Sequence, residues 1–147
     1  MAVSTIRIDR GLNYAFHALL LMAKEGRAVS AGEVARALGV PMAYMAKLLQ
    51  YLDHAGLVAG QRGRRGGNAL ALPPDEITLW DVALALRGGW GRSGDELVLP
   101  SCSTCPLASA CPLGSMLEMA RLNVERVFKQ VSIGAIARQL QSPRGGI

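Results

Sequence analysis

All three cysteines fall within ten residues, Cys102-Ser103-Thr104-Cys105-Pro106-Leu107-Ala108-Ser109-Ala110-Cys111. Three thiols this close, in a chain of 147 residues with no others, form a ligand constellation rather than scattered small apolar side chains. The odd count disfavours a disulfide framework. A thioredoxin-type Cys-x-x-Cys needs a βαβ setting, and the apolar pattern offers none. What remains is a thiolate set for zinc or for an iron–sulfur cluster, or thiols that act by oxidation without metal. A structural zinc site wants a fourth Cys or His, and His17 and His54 are both far off in sequence. Each histidine reads as a helix-surface or packed residue, His54 suiting the last turn of a helix. Spacing alone does not choose between zinc and a cluster.

A second constellation is the loop Gly63-Arg64-Arg65-Gly66-Gly67, just after Arg62. Glycines let a loop turn sharply and approach a phosphate backbone, and arginines supply charge and minor-groove reach. The bland reading is a solvated turn. Its place directly after a helix-turn-helix favours a wing instead. Residues 27–65 carry six basic side chains against two acidic ones, a net of +4, whereas residues 66–147 carry seven of each. The net charge of +5 is thus concentrated around this loop, as nucleic-acid binding requires.

The elements that must position these groups read as follows. From Asp9 to Glu25, Leu12, Ala15, Phe16, Leu19, Leu20 and Met22 follow a helical period, and Gly26 stops the run. Ser30 and Glu33 make a capping box for a helix carrying Val34, Ala35 and Leu38, ended by Gly39. Pro41 suits the first position of the next helix, with Met42, Met45, Leu48, Leu49 and Leu52 on one face and Ala43, Tyr44, Ala46, Lys47 and Gln50 outside it. Gly56 is placed to end that helix in the left-handed conformation. Two short helices around a glycine turn are a helix-turn-helix, whose second helix enters the major groove. Residues 57–62 and 68–72 pair as a hairpin around the Gly/Arg loop, forming a wing. The expected contacts are Ala43, Tyr44 and Lys47 to base edges, with Arg62, Arg64 and Arg65 to phosphates or the minor groove.

Beyond the wing, Pro73-Pro74 reads as a rigid joint, and Thr78 with Asp81 caps a helix whose Leu79, Val82, Ala83 and Leu86 face inward. Trp80 reads as packing. The glycine-rich stretch from Gly88 predicts a flexible loop to about Thr104. A long helix follows from Pro112 to Gln130, its apolar set too broad for one buried stripe, so it can pack its own domain on one side and a second copy on the other. Ser132 caps a last helix, Ile133 to Leu140, before a loose tail. The expected fold is mainly α with a small β-hairpin wing. A winged helix-turn-helix DNA-binding domain at 1–87 precedes a cysteine-bearing cluster-binding loop at 88–112. A dimerisation helix and C-terminal helix fill 113–141, and the tail is 142–147.

No run approaches the roughly 18 apolar residues of a membrane span, and the N-terminus lacks a secretory signal. A cytoplasmic, non-membrane protein is expected. No catalytic triad, phosphate loop or paired-carboxylate signature is visible, so no enzyme activity is expected.

Ile6-Arg7-Ile8, Tyr14-Ala15, Gly56-Leu57-Val58, Arg62-Gly63 and Gly66-Gly67 resemble the iron–sulfur cluster-binding winged-helix transcription regulators typified by IscR, with NsrR and RirA among its relatives. The resemblance runs from about Ile6 to Leu140. It implies a repressor of a double-stranded DNA operator, acting as a homodimer whose long helix crosses its symmetry mate, and sensing iron, redox stress or nitric oxide. Cys105-x5-Cys111 before a long helix matches the second and third cysteines of the cluster-binding members. It therefore implies a 4Fe-4S or 2Fe-2S cluster on Cys102, Cys105 and Cys111. Cys102 departs from the pattern, standing closer to Cys105 than the first cysteine does in those relatives. A fourth ligand near the start of the first helix, given across the dimer in relatives, falls on Asn13 here. The competing readings are a metal-free thiol-switch regulator of the same fold and a non-DNA-binding iron–sulfur carrier.

Overall fold

The computed structural model describes residues 7–63, 66–86, 97–98, 106 and 109–141. Six helices carry the architecture, with two two-stranded antiparallel ladders. Helix α1 (Arg10–Glu25) starts where the Asp9 carboxylate accepts from the Leu12 amide at 2.9 Å. Its Leu12, Ala15, Ala18, Leu19 and Met22 are buried, forming the floor of the core.

Helices α2 (Ala31–Leu38) and α3 (Met42–His54) are the helix-turn-helix. The capping box at Ser30 is present in both directions, with the Glu33 amide donating to Ser30 Oγ at 3.1 Å and the Ser30 amide donating to Glu33 Oε2 at 2.8 Å. Gly39 makes the turn at φ +68°, a left-handed conformation that a side chain would oppose. Pro41 is the N-cap of α3 rather than its first residue. Met45, Leu48, Leu49 and Leu52 are buried against α1 and α2. Met42 corrects the expectation: it is 63% exposed, because the first turn of α3 projects past the core and its thioether lies over Gly32 of α2.

Among the described residues one antiparallel ladder forms the wing and a second joins two distant parts of the chain. Strand β1 (Arg7–Ile8) pairs antiparallel with β4 (Leu97–Val98), and β2 (Val58–Gln61) pairs with β3 (Gly67–Leu70), Val58 opposite Leu70 and Gln61 opposite Gly67. The β1–β4 ladder was not expected, since Leu97 and Val98 fall in the stretch read as a loop. Two-residue strands joined across ninety residues of chain leave no local signal. The remainder of that stretch, like the N-terminal and C-terminal tails, lies outside the described residues.

After the wing comes a 3-10 turn, Pro74–Glu76, and then α4 (Leu79–Ala85), capped by Thr78 and Asp81 as expected. Val82 and Leu86 are buried, and Leu79 and Ala83 are half-buried against the core. Helix α5 (Pro112–Gln130) has no buried residue, although Phe128 sets its ring edge-to-face on Phe16, 6.0 Å between centroids. Lys129 stands 5.0 Å from the Trp80 ring. Helix α6 (Ile133–Gln141) then returns to pack on α1, burying Ile133 and Ala137.

Candidate nucleic-acid interface and cysteine segment

The wing is fixed to the reader by backbone bonds. Val29, just before the α2 N-cap, donates to and accepts from Asn68, both at 2.8 Å. Gly67, at φ +150°, permits this approach: a Cβ there would lie 2.6 Å from the Val29 carbonyl carbon. Arg62, at the end of β2, is exposed, and Arg64 and Arg65 lie outside the described residues.

On α3 the outward face holds Ala43, Lys47 and Gln50, all exposed. Tyr44 is less available than expected. It is half-buried, with its ring edge-to-face with Tyr14 at 5.9 Å. No acidic residue stands in the first turn of α3, which suits an approach to anionic DNA. Arg27 bridges Glu33 at 3.1 Å and Glu25 at 3.5 Å. The Ser30 amide, and then Arg27, hold the Glu33 carboxyl below its ordinary range. Of the six basic groups between 27 and 65, Arg27 is therefore spent on the fold. Met42 and Gln50 are also exposed on α3 and stood outside the expected contact set; Gln50 was legible from the helical period, Met42 was not.

Cys111 is the N-cap of α5, half-exposed, and makes no side-chain cap bond, while Pro112 takes the first helical position. Cys102 and Cys105 lie outside the described residues. Asn13 is exposed on α1, one turn beyond the β1 strand, and its carbonyl lies 2.7 Å from His17 Nδ1. His54 is exposed in the last turn of α3.

The far end of α5 is joined to the chain that leaves the wing. Leu79 donates to the Val131 carbonyl at 3.0 Å and Ile133 donates to the Ile77 carbonyl at 2.8 Å, with Thr78 and Ser132 bridged between them. Arg138 of α6 pairs with Asp75 of the 3-10 turn. A helix of 19 residues, about 28 Å long, thus carries a cysteine at one end and a hydrogen-bonded joint to the wing segment at the other.

Along α5, Leu113, Met116, Met119 and Leu122 recur every third residue and are half to two-thirds exposed. That much apolar surface on one helix is what a partner surface looks like. No helix among the described residues is long and apolar enough to cross a membrane.

Residues 8–139 match the family model Rrf2, described as an iron-dependent transcriptional regulator. The chain is 36% identical over 116 residues to protein aau3 of Rhizobium meliloti (strain 1021), covering 78% of this chain and 74% of that protein. Its fold is that of T. potens IscR, with a TM-score of 0.72 at 22% identity over 94% of this chain and 93% of that one. It also superposes on CymR (YrzC), the global cysteine regulator of B. subtilis, with a TM-score of 0.66 at 23% identity over 90% and 96% of the two chains.

Proposed function

The chain belongs to the Rrf2 family and is a winged-helix, DNA-binding transcriptional regulator, and from that premise we propose that an iron–sulfur cluster on Cys102, Cys105 and Cys111 sets its affinity for a double-stranded operator, most simply as a repressor. The observation that carries this reading is the single helix α5, with Cys111 as its N-cap and its C-terminal end hydrogen-bonded to the segment leaving the wing. A change in how Cys111 is held moves one end of a rod whose other end is joined to the segment leading from the wing into α4.

The donor set fits a cluster: three thiols within ten residues, one of them at a helix N-cap with its sulfur not used in capping. When bound, such a cluster supplies a centre that oxygen, nitric oxide or iron loss can dismantle. Asn13 is assigned as a weak fourth ligand, given by the partner protomer. An amide oxygen beside thiolates is a poor iron ligand, which makes that corner the labile one.

The homodimer forms through α5, whose exposed Leu113, Met116, Met119 and Leu122 meet the same residues of a second copy. On the DNA, Arg62, Arg64 and Arg65 contact phosphates or the minor groove, and Ala43, Tyr44 and Lys47 contact base edges.

The test is the spectrum of the full chain purified anaerobically. Wild type should show visible thiolate-to-iron bands, and each of Cys102→Ala, Cys105→Ala and Cys111→Ala should lose them while keeping helical content and dimeric mass. A wild type that stays colourless after anaerobic reconstitution with iron and sulfide sinks the cluster reading.

A further inference from the structure

The reading end of α3 is apolar. Met42 is 63% exposed, Ala43 is exposed and Ala46 is half-buried. At 100° per residue these three and Gln50 fall within about 100° of the helix, with Met42 at the edge that adjoins Leu49 on the core face. The side chains that a recognition helix presents to base edges come from its N-terminal turns. Here the first turn offers a thioether and a methyl group. The Met42 sulfur lies over Gly32, where a Cβ would stand 3.6 Å away, so the side chain rests on α2 rather than trailing in solvent. Lys47 is the one charge on the exposed face of the first two turns.

An exposed apolar patch at the tip of a basic domain has one complementary feature in a major groove, the 5-methyl group of thymine. Apart from the small C5–H of cytosine, every other group displayed there by a base pair is a hydrogen-bond donor or acceptor. Polar edges set against Met42 and Ala43 would be desolvated without compensation.

We propose that Met42 and Ala43 are specificity-determining residues that read thymine methyl groups, and that Gln50, two turns further on, takes the adenine N6/N7 edge in the same half-site. The inference rests on the DNA-binding reading and adds to it the base class that the reader selects. Burying one methyl group is worth about fourfold in affinity, so removing it should cost that much at each contacted thymine.

The experiment begins with selection of the full chain on a randomised duplex pool. Each thymine in the enriched half-site is then replaced singly by deoxyuridine, which removes only the methyl group. Affinity is read by fluorescence anisotropy for wild type, Met42→Ala and Gln50→Ala. The expected result is a half-site containing thymine at which one or two deoxyuridine replacements weaken wild-type binding about fourfold each. For at least one of them the loss should shrink to near nothing in Met42→Ala, a surface variant that leaves the core untouched. If no duplex is enriched, the DNA-binding reading itself falls. If duplexes are enriched but tolerate deoxyuridine, or if Met42→Ala suffers the same losses as wild type, DNA binding stands and the thymine reading is overturned. Gln50→Ala should relax selection at an adenine and leave the deoxyuridine losses intact; unchanged selection at every position removes Gln50 from the readout.

Discussion

Val29 and Asn68 exchange both of their backbone hydrogen bonds, each at 2.8 Å, so the residue before the reader's first cap is bridged directly to the wing strand β3. The wing is therefore an extension of the helix-turn-helix rather than an appendage to it. Any change that separates the two should be felt in DNA affinity as well as in stability.

Gly67→Ala provides that change. The added Cβ would meet the Val29 backbone at 2.6 Å in a conformation that side chains rarely adopt. Thermal unfolding should register a loss of about 1–3 kcal/mol, and anisotropy should show weakened binding to an enriched duplex. Wild-type affinity in this variant would show that the wing takes no part in binding.

The wing arginines should act through salt. Arg62→Ala, Arg64→Ala and Arg65→Ala should each weaken binding to all duplexes alike, and each should lower the slope of log affinity against log salt by about one. Slopes that match wild type in all three variants would assign the basic loop to solvent.

Acid should loosen the start of α2. Glu33 is held below the ordinary glutamate range by the Ser30 amide and by Arg27, so its folded value lies under its unfolded one. Its contribution is therefore complete above the usual glutamate pKa of about 4.3, and is lost as pH falls from there through the lower folded value. Arg121 and Lys129 depress Glu118 and Glu125 of α5 in the same direction. Thermal melts from neutral pH down to about pH 3 should show the midpoint falling more steeply in wild type than in Glu33→Gln, which keeps a cap acceptor but cannot titrate. Parallel curves would mean the Ser30–Glu33 box does not couple to folding.

Association through α5 should fail when its apolar row is charged. Met116→Lys and Met119→Lys, both at positions 63% exposed, should leave the helical spectrum intact and shift the mass in solution from dimer to monomer. A dimer that survives both substitutions would place the interface elsewhere.

What could be read in advance was local. The Ser30–Glu33 and Thr78–Asp81 boxes are each set by residues three apart, and Pro112–Gln130 is bounded by a proline and a break in apolar period, so these elements were legible. The features that connect them were not. The Val29–Asn68 bridge, the β1–β4 ladder and the joint of 77–79 with 131–133 are made by backbone groups, which every residue carries. Met42 illustrates the other limit. Its period is that of the core face, but a helical period does not say how far along its axis the core extends. For the candidate site, residue types showed which side chains bring thiolates and positive charge together. They did not show that the far end of the helix that begins at a cysteine is joined to the segment leaving the wing.

The central claim is that cluster state controls operator affinity, and one titration tests it. The anaerobic full chain is mixed with a labelled enriched duplex, and visible absorbance and anisotropy are followed in the same cuvette while nitric oxide or a chelator is added. The account predicts that the thiolate-to-iron bands and the DNA affinity change together, and that Cys111→Ala shows neither band nor response. DNA affinity that holds steady while the bands disappear would contradict it.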